Sequence, residues 1–148
     1  RLVMGDCLAE ACREKPDMLL DFATLTGAAR VAVGTGIAAV FANDDDLYAE
    51  LEKHGEKTSD PLWRLPLHEP YRALLDSKVA DISSASDGPF GGAITAALFL
   101  QEFVDEDVPW AHFDIMAWNT ANRPGRPTGG EAQGLRAAFG AIEARFGL

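Results

Sequence analysis

His112 and Asp114 stand close together in an otherwise largely apolar run from Trp110 to Trp118. Side chains alternate between faces along an extended chain, so His112, Asp114 and Met116 project one way, and Ala111, Phe113 and Ile115 the other. An imidazole and a carboxylate on one strand face can serve as metal ligands. They can equally belong to a structural set of buried hydrogen bonds, which is the commoner arrangement. Asp21, inside Met18-Leu19-Leu20-Asp21-Phe22, offers the same choice, and a carboxylate within an apolar strand is ordinarily held by hydrogen bonds.

Other routes to chemistry are weaker. His-Glu-x-x-His and Cys-x-x-Cys are both missing from the sequence, and His54, His68 and His112 are far apart along it. Ser83, Ser84 and Ser86 lie in a flexible stretch without the Gly-x-Ser-x-Gly turn that exposes a nucleophile. The segment from Ser83 to Gly92 contains Gly88, Pro89, Gly91 and Gly92 and precedes an apolar helix. Such a loop can cradle an anion or simply connect two elements, and it lacks the Lys-Ser/Thr ending of a nucleotide-binding loop. Asp44-Asp45-Asp46 suits the start of a helix, where negative charge meets the positive dipole end; the alternating ligands and closing Glu of a calcium loop are missing.

The elements that must position these residues follow from periodicity. Val3, Cys7, Leu8 and Ala11 recur at helical spacing before Pro16, which predicts a helix over Leu2 to Arg13. Met18 to Phe22 and Ile37 to Ala42 are short and apolar, as buried strands are, and Thr24-Leu25-Thr26-Gly27 forms a loop where the first one ends. The acidic run opens a helix reaching His54, and Tyr71 to Leu75 forms a short helix after Pro70. Trp63 to Leu67 is too proline-interrupted for a central strand, whereas Val79 to Ile82 is expected as an edge strand. Ala93 to Val104 is a helix, Trp110 to Trp118 a third buried strand, and Leu135, Phe139, Ile142 and Phe146 form the apolar stripe of a last helix. Helices alternating with apolar strands define an α/β fold, a mixed and largely parallel sheet with helices on both faces.

Composition narrows the function classes. At 148 residues, 47% hydrophobic and 24% charged, the chain suits one globular domain. No apolar run approaches the roughly 20 residues that span a bilayer, so no membrane role is expected. A net charge of −10 argues against nucleic-acid binding. Cys7 and Cys12 would point about 140° apart on a helix, so reduced thiols in a cytoplasmic protein are expected. The segment Arg1 to Asp6 has neither an initiator Met nor the apolar core of a signal peptide, which leads us to expect a fragment, a processed chain or a trimmed one.

Several segments, taken together, resemble the leucyl (cytosol) aminopeptidase family. They are Arg1-Leu2-Val3, Ala23-Thr24-Leu25-Thr26-Gly27-Ala28, Trp63-Arg64-Leu65-Pro66-Leu67, Ala80-Asp81, Gly91-Gly92-Ala93-Ile94-Thr95-Ala96-Ala97 and Trp110-Ala111-His112-Phe113-Asp114-Ile115. Each is weak alone; their order and spacing across nearly the whole chain make the resemblance specific. It implies the later part of a catalytic domain that removes N-terminal amino acids from peptides with two divalent ions, zinc, manganese or magnesium.

Arg1 matches the last residue of the family signature Asn-Thr-Asp-Ala-Glu-Gly-Arg. By that alignment the Asp and Glu metal ligands lie just upstream, the other ligands and the catalytic Lys further upstream, and no metal ligand falls in residues 1–148. The matching Arg holds a bicarbonate that takes a proton from the attacking water. Thr24, Leu25 and Gly27 would line the substrate site, with the Leu25 carbonyl facing the substrate's amino terminus. Met116 and Asn119 would shape the pocket for the first side chain, although Met116-Ala117-Trp118 replaces the family's usual Ala-Gly after Ile115. The loop at Ser83-Ser84-Ala85-Ser86 also departs from many relatives. The resemblance further implies a hexamer, a peptide substrate and the upstream part of the same protein as partners. The rival expectation is a noncatalytic assembly or binding module that keeps the fold.

Overall fold

The computed structural model describes residues 1–147. It opens with helix α1 (Leu2–Cys12), which feeds strand β1 (Leu19–Ala23) and then helix α2 (Gly27–Val33). Strand β2 (Ala38–Ala42), helix α3 (Asp45–Lys57) and strand β3 (Leu62–Arg64) follow, before a 3-10 turn at Glu69–Leu75. Helix α4 (Gly92–Gln101), strand β4 (Trp110–Asp114), the short strands β5 (Trp118–Asn119) and β6 (Gly129–Gly130), and helix α5 (Leu135–Phe146) complete the chain.

The main sheet runs β1-β4-β2-β3. β1 is parallel to β4 and β2 to β3, while β2 and β4 are antiparallel. The three strands expected from apolar runs are thus neighbours in one mixed, largely parallel sheet. Alternation sorts their side chains into two layers. Ala38, Val40, Ala42, Ala111 and Phe113 pack with residues of α3 and α5. Across the sheet, Trp110 packs with Leu8 of α1 and with α4, and Ala39 and Phe41 pack with Ala29 of α2 and with Ala93 and Ala97 of α4. Helices therefore cover both faces. Burying each of Phe41, Phe113 and Leu98 contributes about 1.5–3 kcal/mol, so the strands' apolar runs drive this layering.

Local signals account for most boundaries. Asp44 caps α3, its side chain accepting from the Leu47 amide at 2.7 Å, so the aspartate run acts as a cap. Helix α4 begins after Gly91, whose φ of +67° suits glycine, and ends at Gln101 rather than at Val104 because Phe103 and Val104 donate to the carbonyls three residues back. Cys7 and Cys12 are free thiols.

Three expectations are corrected. Val79 to Ile82 is a series of bends, not a strand: the Ser77 hydroxyl accepts from the amides of Val79 and Ala80, and Val79 is 96% exposed with no neighbouring strand to pair it. The third buried strand stops at Asp114, where the chain turns away. In α5 the small residues Ala137, Ala138, Gly140 and Ala141 face the core, while Leu135, Phe139 and Phe146 are exposed. Close approach of α3 to α5 selects small residues. A Cβ on Gly140 would come within 2.6 Å of His54 Nδ1, and one on Gly55 within 2.7 Å of the Asp60 carbonyl oxygen. The larger apolar residues are thereby turned outward, where Leu135, Phe139 and Ile142 join Phe22 and Ile115 around an apolar groove beside the edge strand β1.

Gly55→Val should lower stability by about 2 kcal/mol, because the added side chain meets backbone rather than a movable side chain. Gly88→Ala, in open space, should change it by less than about 0.5 kcal/mol. Urea unfolding of the two variants checks the contrast, and equal midpoints would contradict the packing described.

Candidate functional site

β1 and β4 are parallel, so their carboxyl ends lie side by side, the usual position of a site in an α/β sheet. Asp114 closes β4 there and Ala23 closes β1 opposite it. Asp114 is 2% exposed, and both of its oxygens are committed. Oδ1 accepts from the Leu25 amide at 3.0 Å and the Thr26 amide at 3.1 Å; Oδ2 accepts from the Thr26 hydroxyl at 2.6 Å. The same hydroxyl accepts from the Ala29 amide at 3.1 Å and caps α2. One carboxylate thus fixes the loop after β1 and the start of the next helix.

The consequence is geometric. A trans peptide places each N–H antiparallel to the preceding C=O, and the chain has no cis bond among the described residues. With the amides of Leu25 and Thr26 aimed at Asp114, the carbonyls of Thr24 and Leu25 point away from it. Thr24 and Gly27 are exposed and Leu25 is half-buried, so the loop presents backbone to solvent.

His112 does not pair with Asp114. It shares the strand face with it, but its Nδ1 lies 2.5 Å from Asp21 Oδ1, and Trp110 Nε1 donates to Asp21 Oδ2 at 2.7 Å. Both oxygens of Asp21 are thus held by side chains of β4. His112 is fully buried, and its Nε2 has no hydrogen-bond partner among the described residues. The Asp21, His112 and Trp110 set ties β1 to β4 below the site rather than lining it.

Arg1 lies near the site's other side. Its guanidinium donates to the Ser84 carbonyl and sits 5.9 Å from the centre of the Phe99 ring. Partial burial lowers its pKa from the ordinary arginine value, and the charge of Asp114 acts in the opposite direction. A guanidinium remains a cation under these influences. Arg1, Leu2, Val3, Ser84 and Ala85 line an open hollow there.

Met116 lies against α2. Arg30 Nη1 donates to the Met116 sulfur at 3.6 Å. The next residue, Ala117, has a φ of +56°, a conformation that glycine adopts freely and that costs a non-glycine residue roughly 1–2 kcal/mol. Gln133 holds it there, accepting from the Ala117 amide at 2.9 Å and donating to the Thr35 carbonyl at 3.0 Å. Asn119 is 4% exposed, and its amide donates to the carbonyls of Arg126 and Pro127, both at 2.8 Å. Its side chain therefore holds the following loop closed. Thr24, Leu25 and Gly27 stand together after β1, Arg30 links the start of α2 to Met116 after β4, Arg1 is held at Ser84 beside Phe99, and Asn119 braces the loop at Arg126 and Pro127.

Sequence reasoning missed the anchoring roles of Asp114 and Gln133, and also that of Asp60. Asp60 Oδ1 accepts from the Gly134 amide at 3.0 Å and Oδ2 from the Arg136 amide at 2.9 Å, capping α5 from a distant segment. Thr26 carried a legible signal, since a Thr before a short helical run is a capping residue. The others act across long sequence separations, with nothing local to mark them.

The fold and its crevice define an α/β domain whose site is built from strand-end loops. Residues 1–139 match the family described as "Cytosol aminopeptidase family, catalytic domain". The chain belongs to that family. It is 46% identical over 138 residues to a probable cytosol aminopeptidase of Synechococcus sp. (strain WH7803), covering 92% of this chain and 28% of that protein. The crystal structure of cytosol aminopeptidase from Coxiella burnetii is similar at 56% identity and a TM-score of 0.92, over 97% of this chain and 32% of that one. A mutant of tomato leucine aminopeptidase is similar at 36% identity and a TM-score of 0.82, over 95% and 27%. The chain therefore spans less than a third of the length of these relatives.

Asp114→Ala should leave the amides of Leu25 and Thr26 without their acceptor and cost about 2–3 kcal/mol of stability. Hydrogen exchange should accelerate at those two amides more than elsewhere in the sheet. Protection unchanged at Leu25 and Thr26 would remove Asp114 from this role.

Proposed function

We propose that this chain forms the substrate-facing part of a metal-dependent aminopeptidase, one that releases N-terminal residues from peptides by a two-metal hydrolytic mechanism. The observation that carries the reading is the Thr24 to Gly27 loop, held by Asp114 with its carbonyls turned away from the carboxylate, in a chain that matches an aminopeptidase catalytic domain. A carbonyl so fixed is an acceptor for a substrate ammonium group, and its orientation is set before the substrate arrives.

Among the described residues, no three His, Cys, Asp or Glu side chains converge as a metal-binding group. Asp114 has both oxygens spent within the fold. These residues do not by themselves fit a two-metal centre. In this reading the ions, zinc, manganese or magnesium, are held by polypeptide outside residues 1–148, and the present chain supplies other parts. Leu25 takes the amino terminus. Arg1 has guanidinium donors beyond the one given to Ser84, and these suit it to hold an anion such as the bicarbonate implied by the family; the arginine positions that base without itself taking the proton. Met116 bounds the space for the first side chain, with Asn119 holding the loop behind it.

The apolar groove beside β1 and the unpaired outer edge of that strand support packing against further polypeptide, either the upstream part of the same protein or another subunit of a hexamer. Among the described residues no helix is long and apolar enough to cross a membrane. Relatives named cytosol aminopeptidases support action in the cytoplasm.

The 148-residue chain alone, assayed with leucine p-nitroanilide and added zinc or manganese, should show no turnover. Activity should appear when polypeptide carrying the family's Asp-Ala-Glu-Gly segment is supplied. Turnover by the isolated chain with stoichiometric metal would falsify this division of labour. In the complete enzyme, Met116→Ala should favour large first side chains, shifting discrimination between phenylalanine and leucine substrates by about 1–3 kcal/mol. An unchanged kcat/KM ratio would exclude Met116 from the pocket.

A further inference from the structure

Arg30 is a cation that the fold leaves largely unspent. Arg64, Arg72, Arg126, Arg136 and Arg145 each lie within 4.0 Å of a carboxylate. Arg30 makes no such ion pair among the described residues, and its contact at 3.6 Å is to a thioether, a weak acceptor. Most of its guanidinium donors therefore remain available.

Its position gives those donors a direction. Arg30 follows Gly27 by one helical turn, so the two share a face of α2. A Cβ built on Gly27 would lie 3.8 Å from Arg30 Nη2, while Nη1 reaches Met116. The guanidinium thus bridges two segments of the candidate site, the loop after β1 and the segment after β4. Being in the last turn of α2, its charge is also favoured by the helix dipole. The dipole explains a tolerated cation there; it does not require the side chain to cross Gly27 toward Met116. These 148 residues carry a net charge of −10, which by itself repels an anionic substrate, and a local cation at the site counters that repulsion.

We propose that Arg30 is a specificity-determining residue that recognises a carboxylate of the substrate at the rim formed by Gly27 and Met116. The inference rests on the aminopeptidase reading and adds a substrate class to it: peptides with an acidic first side chain, or short peptides whose free C-terminal carboxylate reaches the same rim.

The test uses the complete, metal-loaded enzyme with Arg30 unchanged and as Arg30→Gln and Arg30→Glu. One arm compares glutamyl and leucyl p-nitroanilides, which have no C-terminal carboxylate. The other compares the dipeptide Leu-Gly with its C-terminal amide. Arg30→Gln should lower the ratio of kcat/KM for the carboxylate-bearing substrate over its partner by about three- to tenfold, and Arg30→Glu should lower it further. Raising salt from about 0.05 to 0.5 M should narrow the unmodified enzyme's ratio, because the pair is exposed and screened. A change confined to the anilides assigns the acidic first side chain, and a change confined to the dipeptides assigns the C-terminus. Both ratios staying within about twofold across the three proteins, with the unmodified enzyme active, overturns the role of Arg30 alone. Absence of turnover by the unmodified enzyme overturns the aminopeptidase reading and this inference with it. Should Arg30→Glu fail to fold, the Arg30→Gln and salt comparisons decide the matter.

Discussion

The hydrogen bonds of Asp114 join the end of one strand to the loop leaving its neighbour, and the candidate site depends on them. A buried carboxylate is costly unless its lone pairs are filled, and here two backbone amides and a hydroxyl fill them. Satisfying the carboxylate and shaping the loop are one event. The amides that stabilise Asp114 are those whose peptide planes turn the carbonyls of Thr24 and Leu25 outward, and the hydroxyl that completes the set also caps α2. Arg30, one turn along that helix, takes its position from the same anchor.

Beneath this lies a second buried set, Asp21 with Trp110 and His112, which locks the register between β1 and β4. A slip of β1 by one residue would turn all its side chains to the opposite face, separating Asp21 from His112 and leaving it against α3 and α5. It would also move Asp114 away from Leu25. The polar pairs in the sheet therefore act as register marks, while the apolar layers on either side supply most of the stabilisation. His112 works as a structural residue, the commoner of the two readings open in the sequence, with Asp21 rather than Asp114 as its partner.

The far side of the site depends on loops that carry their own supports. Ala117 occupies a left-handed conformation that glycine would adopt without strain, and Gln133 reaches back to hold it. Asn119 closes the next loop, and Asp60 caps α5 from across the α3–α5 contact. Each is a buried polar side chain answering backbone groups that no regular ladder satisfies. The segment Met116-Ala117 is thus fixed from both sides, by Arg30 at the Met116 sulfur and by Gln133 at the Ala117 amide.

Apolar runs and helical spacing were enough to place β1, β2, β4, α1, α3 and α4, because burial and periodicity are properties of neighbouring residues. The Asp44 cap was legible for the same reason, and the motifs from Arg1 to Ile115 carried the family. Edge pairing was not legible: Val79 to Ile82 has strand-like residues, but Ser77 and the lack of a partner keep it in turns, while Leu62–Arg64 finds β2 beside it. The stripe of α5 was visible, yet which face turns inward was set by how closely α3 approaches. The partners of Asp114, His112, Asp60 and Gln133 were decided by tertiary structure alone. A hydrogen bond depends on where two groups lie in space, and residues 60 to 100 positions apart carry no local mark of meeting.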